Sequence, residues 1–214
     1  METVKYIPAL RFNWLTRIYD PIVRLTTRET AFKTALVTQI KVGPGDRVLD
    51  LACGTGTLAV MVKNAHPKIS VVGIDGDERI LVLAKDKADK AKVEIEFDRG
   101  MSFQLPYPDK SFDRVVSSLF FHHLTRDNKF RTLREVKRIL KPNGELHIAD
   151  WGLPGNWLMK FASIGIKLLD GSETTTDNFE GLLASYITQA GFRDVTETAH
   201  FNTWFGTIRL LKAI

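Results

Sequence analysis

The sequence predicts an alternating α/β protein built around one mostly parallel sheet, and three observations predict it. Apolar runs of strand length alternate with amphipathic stretches of helix length from residue 47 to residue 149. A glycine turn, Cys53-Gly54-Thr55-Gly56-Thr57, joins the first such strand to the helix after it. The chain then closes on two consecutive strands with a short polar link, an antiparallel hairpin at one edge of the sheet.

The elements follow in order. Residues 9–26 contain Leu10, Phe12, Trp14, Leu15, Ile18, Tyr19, Ile22, Val23 and Leu25, spaced for one or two short helices broken at Pro21. So many large apolar groups must cover something. Residues 28–40 form a second amphipathic stretch, stopped by Gly43-Pro44-Gly45. Strands are expected at 47–51, 70–74, 93–97, 113–118 and 145–149, and helices at 58–65, 77–91 and 128–140. Strands alternating with helices of this length make right-handed βαβ crossovers. In the helix at 128–140, Phe130, Leu133, Val136 and Leu140 share a face, and the Arg and Lys residues cover the other. Residues 151–169 are apolar and aromatic, and 170–176 read as a polar loop. A helix is expected at 178–190, ending on Gly191, followed by strands at 195–200 and 204–212.

Composition sets the limits. The chain has 214 residues, 44% of them apolar, which supports one sizeable core and therefore one domain, 1–214. Residues 1–45 carry seven Lys or Arg against three Asp or Glu, within a net charge of +5. Most simply this is the solvated face of amphipathic helices, though a basic lead is also compatible with peripheral contact at a membrane surface. Cys53 is the single cysteine, which excludes an internal disulfide. No apolar run is long enough to span a membrane, and the N-terminus lacks a signal-peptide pattern, so a cytoplasmic protein is expected. There is no metal-ligand motif.

Gly54, Gly56 and Ala59 fit G-x-G-x-x-G/A, and Asp75 lies about where a ribose-binding acid belongs. That alone permits a nicotinamide or flavin dinucleotide. Asp50, at the end of the first strand, argues for a different ligand. A carboxylate close to a pyrophosphate is unfavourable in a partly desolvated pocket. S-adenosylmethionine has no phosphate and carries a sulfonium and an ammonium, which an acid attracts.

Residues 48–59 resemble the first motif of the class I S-adenosylmethionine-dependent methyltransferases, and 71–81, with Asp75, resemble the second. Leu105-Pro106-Tyr107-Pro108 through Asp113, His122-His123-Leu124, and the turn Lys141-Pro142-Asn143-Gly144 resemble three further segments in the same order. The branch resembled is that of ubiquinone/menaquinone-biosynthesis-like enzymes. The resemblance is clear over about 45–150 and thin at both ends. It implies a Rossmann-like three-layer sandwich with seven strands in the order 3-2-1-4-5-7-6, the last antiparallel. It implies S-adenosylmethionine as cofactor, S-adenosylhomocysteine as product, and a small acceptor of apolar or aromatic character. Residues 1–40 are then a helical lid and 151–180 a cap on the acceptor side.

The resemblance also implies residue roles. Backbone at Ala52, Gly54 and Gly56 lines the methionine and ribose portion. Asp50 sits near the ammonium, Asp75 accepts from the ribose hydroxyls, backbone at Ser118 or Leu119 faces the methionine, and Tyr19 acts as a lid. Two departures touch the adenine pocket. Gly76 stands where relatives have a large apolar residue, and Met101 where they often have an acid. Met101 and the Ser102 N–H are expected to border adenine instead. His123 is the candidate general base, needed only if the acceptor loses a proton. His122 and His123 equally suit packing or capping, and Asp150 is open between acceptor contact and a helix cap. Nucleic acid is disfavoured because no Asn/Asp-Pro-Pro-aromatic motif follows the fourth strand, where Ser117-Ser118-Leu119-Phe120 stands. The departures leave one alternative, a non-catalytic cofactor-binding regulatory or partner protein.

Overall fold

The computed structural model describes residues 28–155, 172–204 and 206–214. Tyr19, most of the expected lid and residues 156–171 of the expected cap lie outside them. The chain enters through helix α1 (Glu29–Gln39) and continues through β1 (Arg47–Leu51), α2 (Thr57–Ala65), β2 (Ser70–Asp75), α3 (Glu78–Ala91), β3 (Glu96–Arg99) and β4 (Phe112–Ser118). A 3₁₀ turn (Phe121–His123) leads to α4 (Arg126–Ile139) and β5 (Leu140–Gly152). Helices α5 (Ser172–Phe179) and α6 (Leu183–Gln189) precede β6 (Thr196–Asn202) and β7 (Thr207–Ala213).

The seven strands form one sheet in the order β3-β2-β1-β4-β5-β7-β6. The first five are parallel, and β7 runs antiparallel to both β5 and β6. Alternation along the strands sends successive side chains to opposite faces. Leu49, Leu51, Val72, Ile74, Val115 and Leu146 pack on one face against Leu133 and Val136 of α4 and Leu183 and Ile187 of α6. Val48, Val71, Val116 and Ala149 pack on the other face against Phe32 and Leu36 of α1 and Leu58 and Val62 of α2. Each fully buried aliphatic contributes roughly 1.5–3 kcal/mol, so both helical layers are bound by the hydrophobic effect. The order reverses direction at β1, between β2 and β4, which opens a crevice at the carboxyl ends of β1 and β4.

Four elements differ from the sequence expectation, the simplest being the last strand, expected at 204–212, which begins at Thr207. The third strand begins at Glu96 rather than at 93. Lys92 takes a left-handed φ of 55°, and the Val93 N–H closes the end of α3 on the Ala88 carbonyl, so Val93 belongs to the helix cap. The fifth strand is longer than 145–149. It pairs Leu140 with Phe112, and the turn after Leu140 is absorbed as a register shift before Glu145 pairs with Arg114. Residues 172–190 form two helices rather than a loop and one helix. Gly181, at φ 75°, breaks them, and the N–H groups of Gly181 and Leu182 donate to the carbonyls of Asn178 and Asp177.

Gly73, in the middle of β2, pairs with Phe97 of β3. A Cβ at Gly73 would lie 2.7 Å from Cδ1 of the Phe97 ring and 3.0 Å from Cys53 Sγ. Gly73→Ala is therefore expected to destabilise the fold by about 1–3 kcal/mol. The double variant Gly73→Ala/Phe97→Leu should lose less than the sum of the two single losses, measured by chemical denaturation.

Candidate cofactor and acceptor site

Asp50 is the fourth residue of β1, and alternation places it on the face that carries α1 and α2. It is 1% exposed, and its Oδ2 has no hydrogen-bond partner. Burial pushes its pKa up to about 7 against the pull of Lys33. After it the chain makes the glycine turn. Ala52, Gly54 and Gly56 all have positive φ, at 56°, 53° and 75°. At Gly56 the glycine is required twice, because a Cβ there would also meet Ala84 Cβ at 3.0 Å. The space over Gly54 is open. Lys87 of α3 donates to Thr55 Oγ1 at 2.8 Å and to Thr57 Oγ1 at 2.6 Å, which pins the turn to the next helix.

Asp75 ends β2. Its Oδ2 accepts from the Gly54 N–H and its Oδ1 from the Asp77 N–H, each at 3.0 Å. Burial raises its pKa, while those N–H groups and that of Gly76 oppose the rise. Asp77 caps α3 by accepting from the Arg79 N–H. Gly76 is half-buried beside Asp75. The Gly100 N–H donates to the Asp75 carbonyl, bringing Met101 and Ser102 to the same edge. The Ser102 hydroxyl shares a 2.8 Å hydrogen bond with that of Thr132 on α4.

Ser118 ends β4, and Leu119 follows with a left-handed φ of 53°, its N–H donating to the Ala149 carbonyl. Such a conformation is costly for a residue with a Cβ and persists where neighbours enforce it. Asp150 is one of those neighbours. Its Oδ2 accepts from the N–H groups of Phe120 and His122, and its Oδ1 from the Trp151 N–H. Oδ1 also lies 2.6 Å from His122 Nδ1. Asp150 therefore ties the turn after β4 to the end of β5, and it caps no following helix among the described residues. Burial favours its neutral form, but His122 and the Trp151 N–H outweigh this and its pKa falls below the usual value. The His123 ring stacks on His122 at 3.9 Å between centroids. Burial, then the neighbouring His122, pushes the His123 pKa down to about 3, so its imidazole is neutral.

Beyond this turn, Asp177 of α5 accepts from Arg126 Nη2 at 2.7 Å and lies 3.6 Å from the buried Lys129 Nζ. Asn178 Nδ2 donates to the Trp151 carbonyl, and Asn178 Oδ1 is buried without a partner. A cavity of about 160 Å³ opens here, lined in part by Asp150, Trp151, Leu153, Asn178 and Leu183.

The fold thus brings Asp50, Ala52, Gly54, Gly56, Asp75, Gly76, Met101, Ser102, Ser118 and His123 to one edge of the sheet. Cys53 is buried in the turn, and burial pushes its thiol far up, so it is no nucleophile. Among the described residues no group of His, Cys, Asp and Glu is arranged to hold a metal ion, and no helix is long and apolar enough to cross a membrane. The sequence reading missed Lys33 and Lys129. Both are buried cations within amphipathic helices, and the visible signal was a lysine flush with an apolar stripe, as Lys33 is with Phe32 and Leu36.

The chain is similar to known methyltransferases. Residues 48–144 match a family model described as a methyltransferase domain. A demethylmenaquinone methyltransferase of Deinococcus radiodurans is 33% identical over 150 residues, covering 70% of this chain. The chain spans 59% of that relative's length. An uncharacterized methyltransferase of Synechocystis is 28% identical over 218 residues, covering 100% of this chain and 97% of its own. The crystal structure of an S-adenosylmethionine-dependent methyltransferase from Aquifex aeolicus shares the fold with a TM-score of 0.66 at 20% identity, covering 98% of both chains.

Ala52 is the one position of the turn with φ above zero that is not glycine. A Cβ in this conformation costs about 1–2 kcal/mol, while an added glycine loses roughly 0.5–1 kcal/mol through unfolded-state entropy. Ala52→Gly is therefore expected to raise stability by up to about 1 kcal/mol, seen as a higher denaturation midpoint with an unchanged slope.

Proposed function

We propose that this chain is a class I S-adenosylmethionine-dependent methyltransferase that transfers a methyl group from S-adenosylmethionine to a small acceptor of apolar or aromatic character. The observation that carries the reading is the buried Asp50 oxygen with no partner, on the strand that leads into the glycine turn. An orphaned buried carboxylate is costly, and a ligand cation relieves the cost. The residues present therefore fit a sulfonium amino acid better than a pyrophosphate.

In this reading Asp50 attracts the ammonium, and backbone at Ala52, Gly54, Gly56 and Ser118 lines the methionine end. Asp75 holds the ribose, with Gly76, Met101 and Ser102 bordering adenine and Tyr19 closing over the cofactor. When bound, S-adenosylmethionine supplies an electrophilic methyl group for in-line displacement. The chain's part is to orient the acceptor and exclude water. If the acceptor is a hydroxyl or an activated ring carbon, it must also lose a proton. A base whose conjugate acid has a pKa of about 3 takes up a proton poorly at neutral pH. His123 therefore suits an acceptor that is already acidic, to which it offers a neutral hydrogen-bond partner.

Two features favour a ring-sized acceptor. The cavity beside Asp150 and Trp151, about 160 Å³, opens to solvent past Glu197 and Arg209 and has room for a single ring. Relatives include enzymes named for a demethylated quinone. Of the expected lid and cap, residues 1–28 and 151–180 are proposed to close over this side, α1 (Glu29–Gln39) being part of the core layer instead.

The test is a binding titration followed by turnover. The full chain should bind S-adenosylhomocysteine and release it from S-adenosylmethionine when supplied with a demethylated naphthoquinol. Failure to bind the cofactor at all would exclude the reading. Asp75→Ala should weaken cofactor binding about tenfold or more, as expected for a lost charged hydrogen bond of about 1.5–3 kcal/mol. The pH dependence has a definite sign. Asp50 is protonated below its pKa of about 7 in the free protein, and a cationic ligand selects the ionised form. Affinity should therefore rise with pH, by at most about tenfold per unit, and level off above about pH 7. Asp50→Asn should flatten this profile.

A further inference from the structure

Lys33 belongs to the first half of α1, and it is a cation where an apolar residue would ordinarily pack. It is 8% exposed and lies beside Phe32, within the layer formed by Phe32, Leu36 and Val37. Burying an ammonium so far costs free energy unless charges and hydrogen bonds compensate. One compensating charge is Glu29, one turn earlier, whose carboxylate pairs with Lys33 Nζ. The other is Asp50, which Lys33 draws toward its ionised form across the gap between α1 and β1.

The direction of α1 explains the meeting. The chain leaving α1 lies near the strand beginnings, where the Lys41 carbonyl accepts from Arg114 of β4, and Gln39 of the last turn meets His147, in the same row of the sheet as Asp50. The first turns of α1 therefore reach the carboxyl edge, where Asp50 and the glycine turn stand. That edge holds a buried anion with an open oxygen and a buried cation held in position by Glu29. An ammonium has three donors, and one bond to Glu29 leaves it able to meet a further acceptor. The arrangement has the charge pattern of an α-amino acid in reverse, cation opposite carboxylate and anion opposite ammonium.

We infer that Lys33 is a cofactor-binding residue that takes the α-carboxylate of the S-adenosylmethionine amino-acid end, while Asp50 takes its ammonium. This rests on the cofactor reading above and adds a residue to it. Glu29 is then a positioning residue that aims Lys33. The pair makes the site selective for an intact amino acid on the sulfonium over cationic analogues without the carboxylate.

Calorimetric titration of the full chain with S-adenosylmethionine and with its decarboxylated form tests this. The wild type should bind the intact cofactor more tightly. Lys33→Met should weaken the intact cofactor about 10- to 100-fold, the range of a charged hydrogen bond, and leave the decarboxylated form within about twofold. Because this change leaves Glu29 unpaired, the double variant Glu29→Gln/Lys33→Met is measured beside it and should show the same selective loss. Equal losses for both ligands mean that Lys33 only supports the fold and overturn the assignment, as does no loss for either. A wild type that binds both ligands alongside variants that do not discriminate overturns the Lys33 assignment alone. A wild type that binds neither overturns the cofactor reading and this inference with it.

Discussion

The carboxyl edge of the sheet depends on one carboxylate. Asp75 receives the N–H of Gly54 from the turn after β1 and the N–H of Asp77 from the turn after β2. Two loops that follow different strands are thereby held in one register, with Lys87 fastening the first to α3 from outside. The alternating left-handed residues 52, 54 and 56 fold the backbone tightly enough for Gly54 to reach that carboxylate. The open space over Gly54 follows from the same geometry: the turn spends its conformational freedom on making room.

Around this anchor the site is arranged by burial of charge. Asp50 lies in the core layer without a full set of partners, Lys33 is buried facing it, and Asp150 is buried but satisfied by three N–H groups and His122. The two acids therefore differ in kind. Asp150 is complete within the protein and holds shape, including the strained backbone at Leu119. Asp50 is incomplete: it is buried with one carboxylate oxygen unpartnered, at a cost that nothing among its described hydrogen bonds offsets.

How much of this was legible in the sequence varies with the range of the forces involved. The strands at 47–51 and 70–75 and the glycine turn between them were legible because their burial and φ requirements are local. The strand order followed from resemblance, and the sheet has it. Glu96–Arg99 was displaced because the left-handed cap at Lys92 is a feature of helix ending that apolar patterning does not carry. The polar run before Asp177 read as loop. It is helical in the fold, and Asp177 of that helix is anchored by Arg126 and Lys129, some fifty residues earlier. Asp150 is not assignable from sequence because three of its four partners, on Phe120 and His122, reach it only when β4 and β5 pair. Lys33 was hidden for a related reason: a lysine in an amphipathic helix looks solvated until the fold brings it within electrostatic reach of an acid on a distant strand.

The attachment of α5 has a mechanical consequence. The helix is held through Asp177 to the first turn of α4 and through Asn178 to the Trp151 carbonyl. Neither anchor involves Asp50, Asp75 or the glycine turn. Loss of either mooring would therefore loosen α5 from α4 or from the end of β5 without touching the carboxylate that holds the two loops at β1 and β2 together, so the two regions are anchored independently.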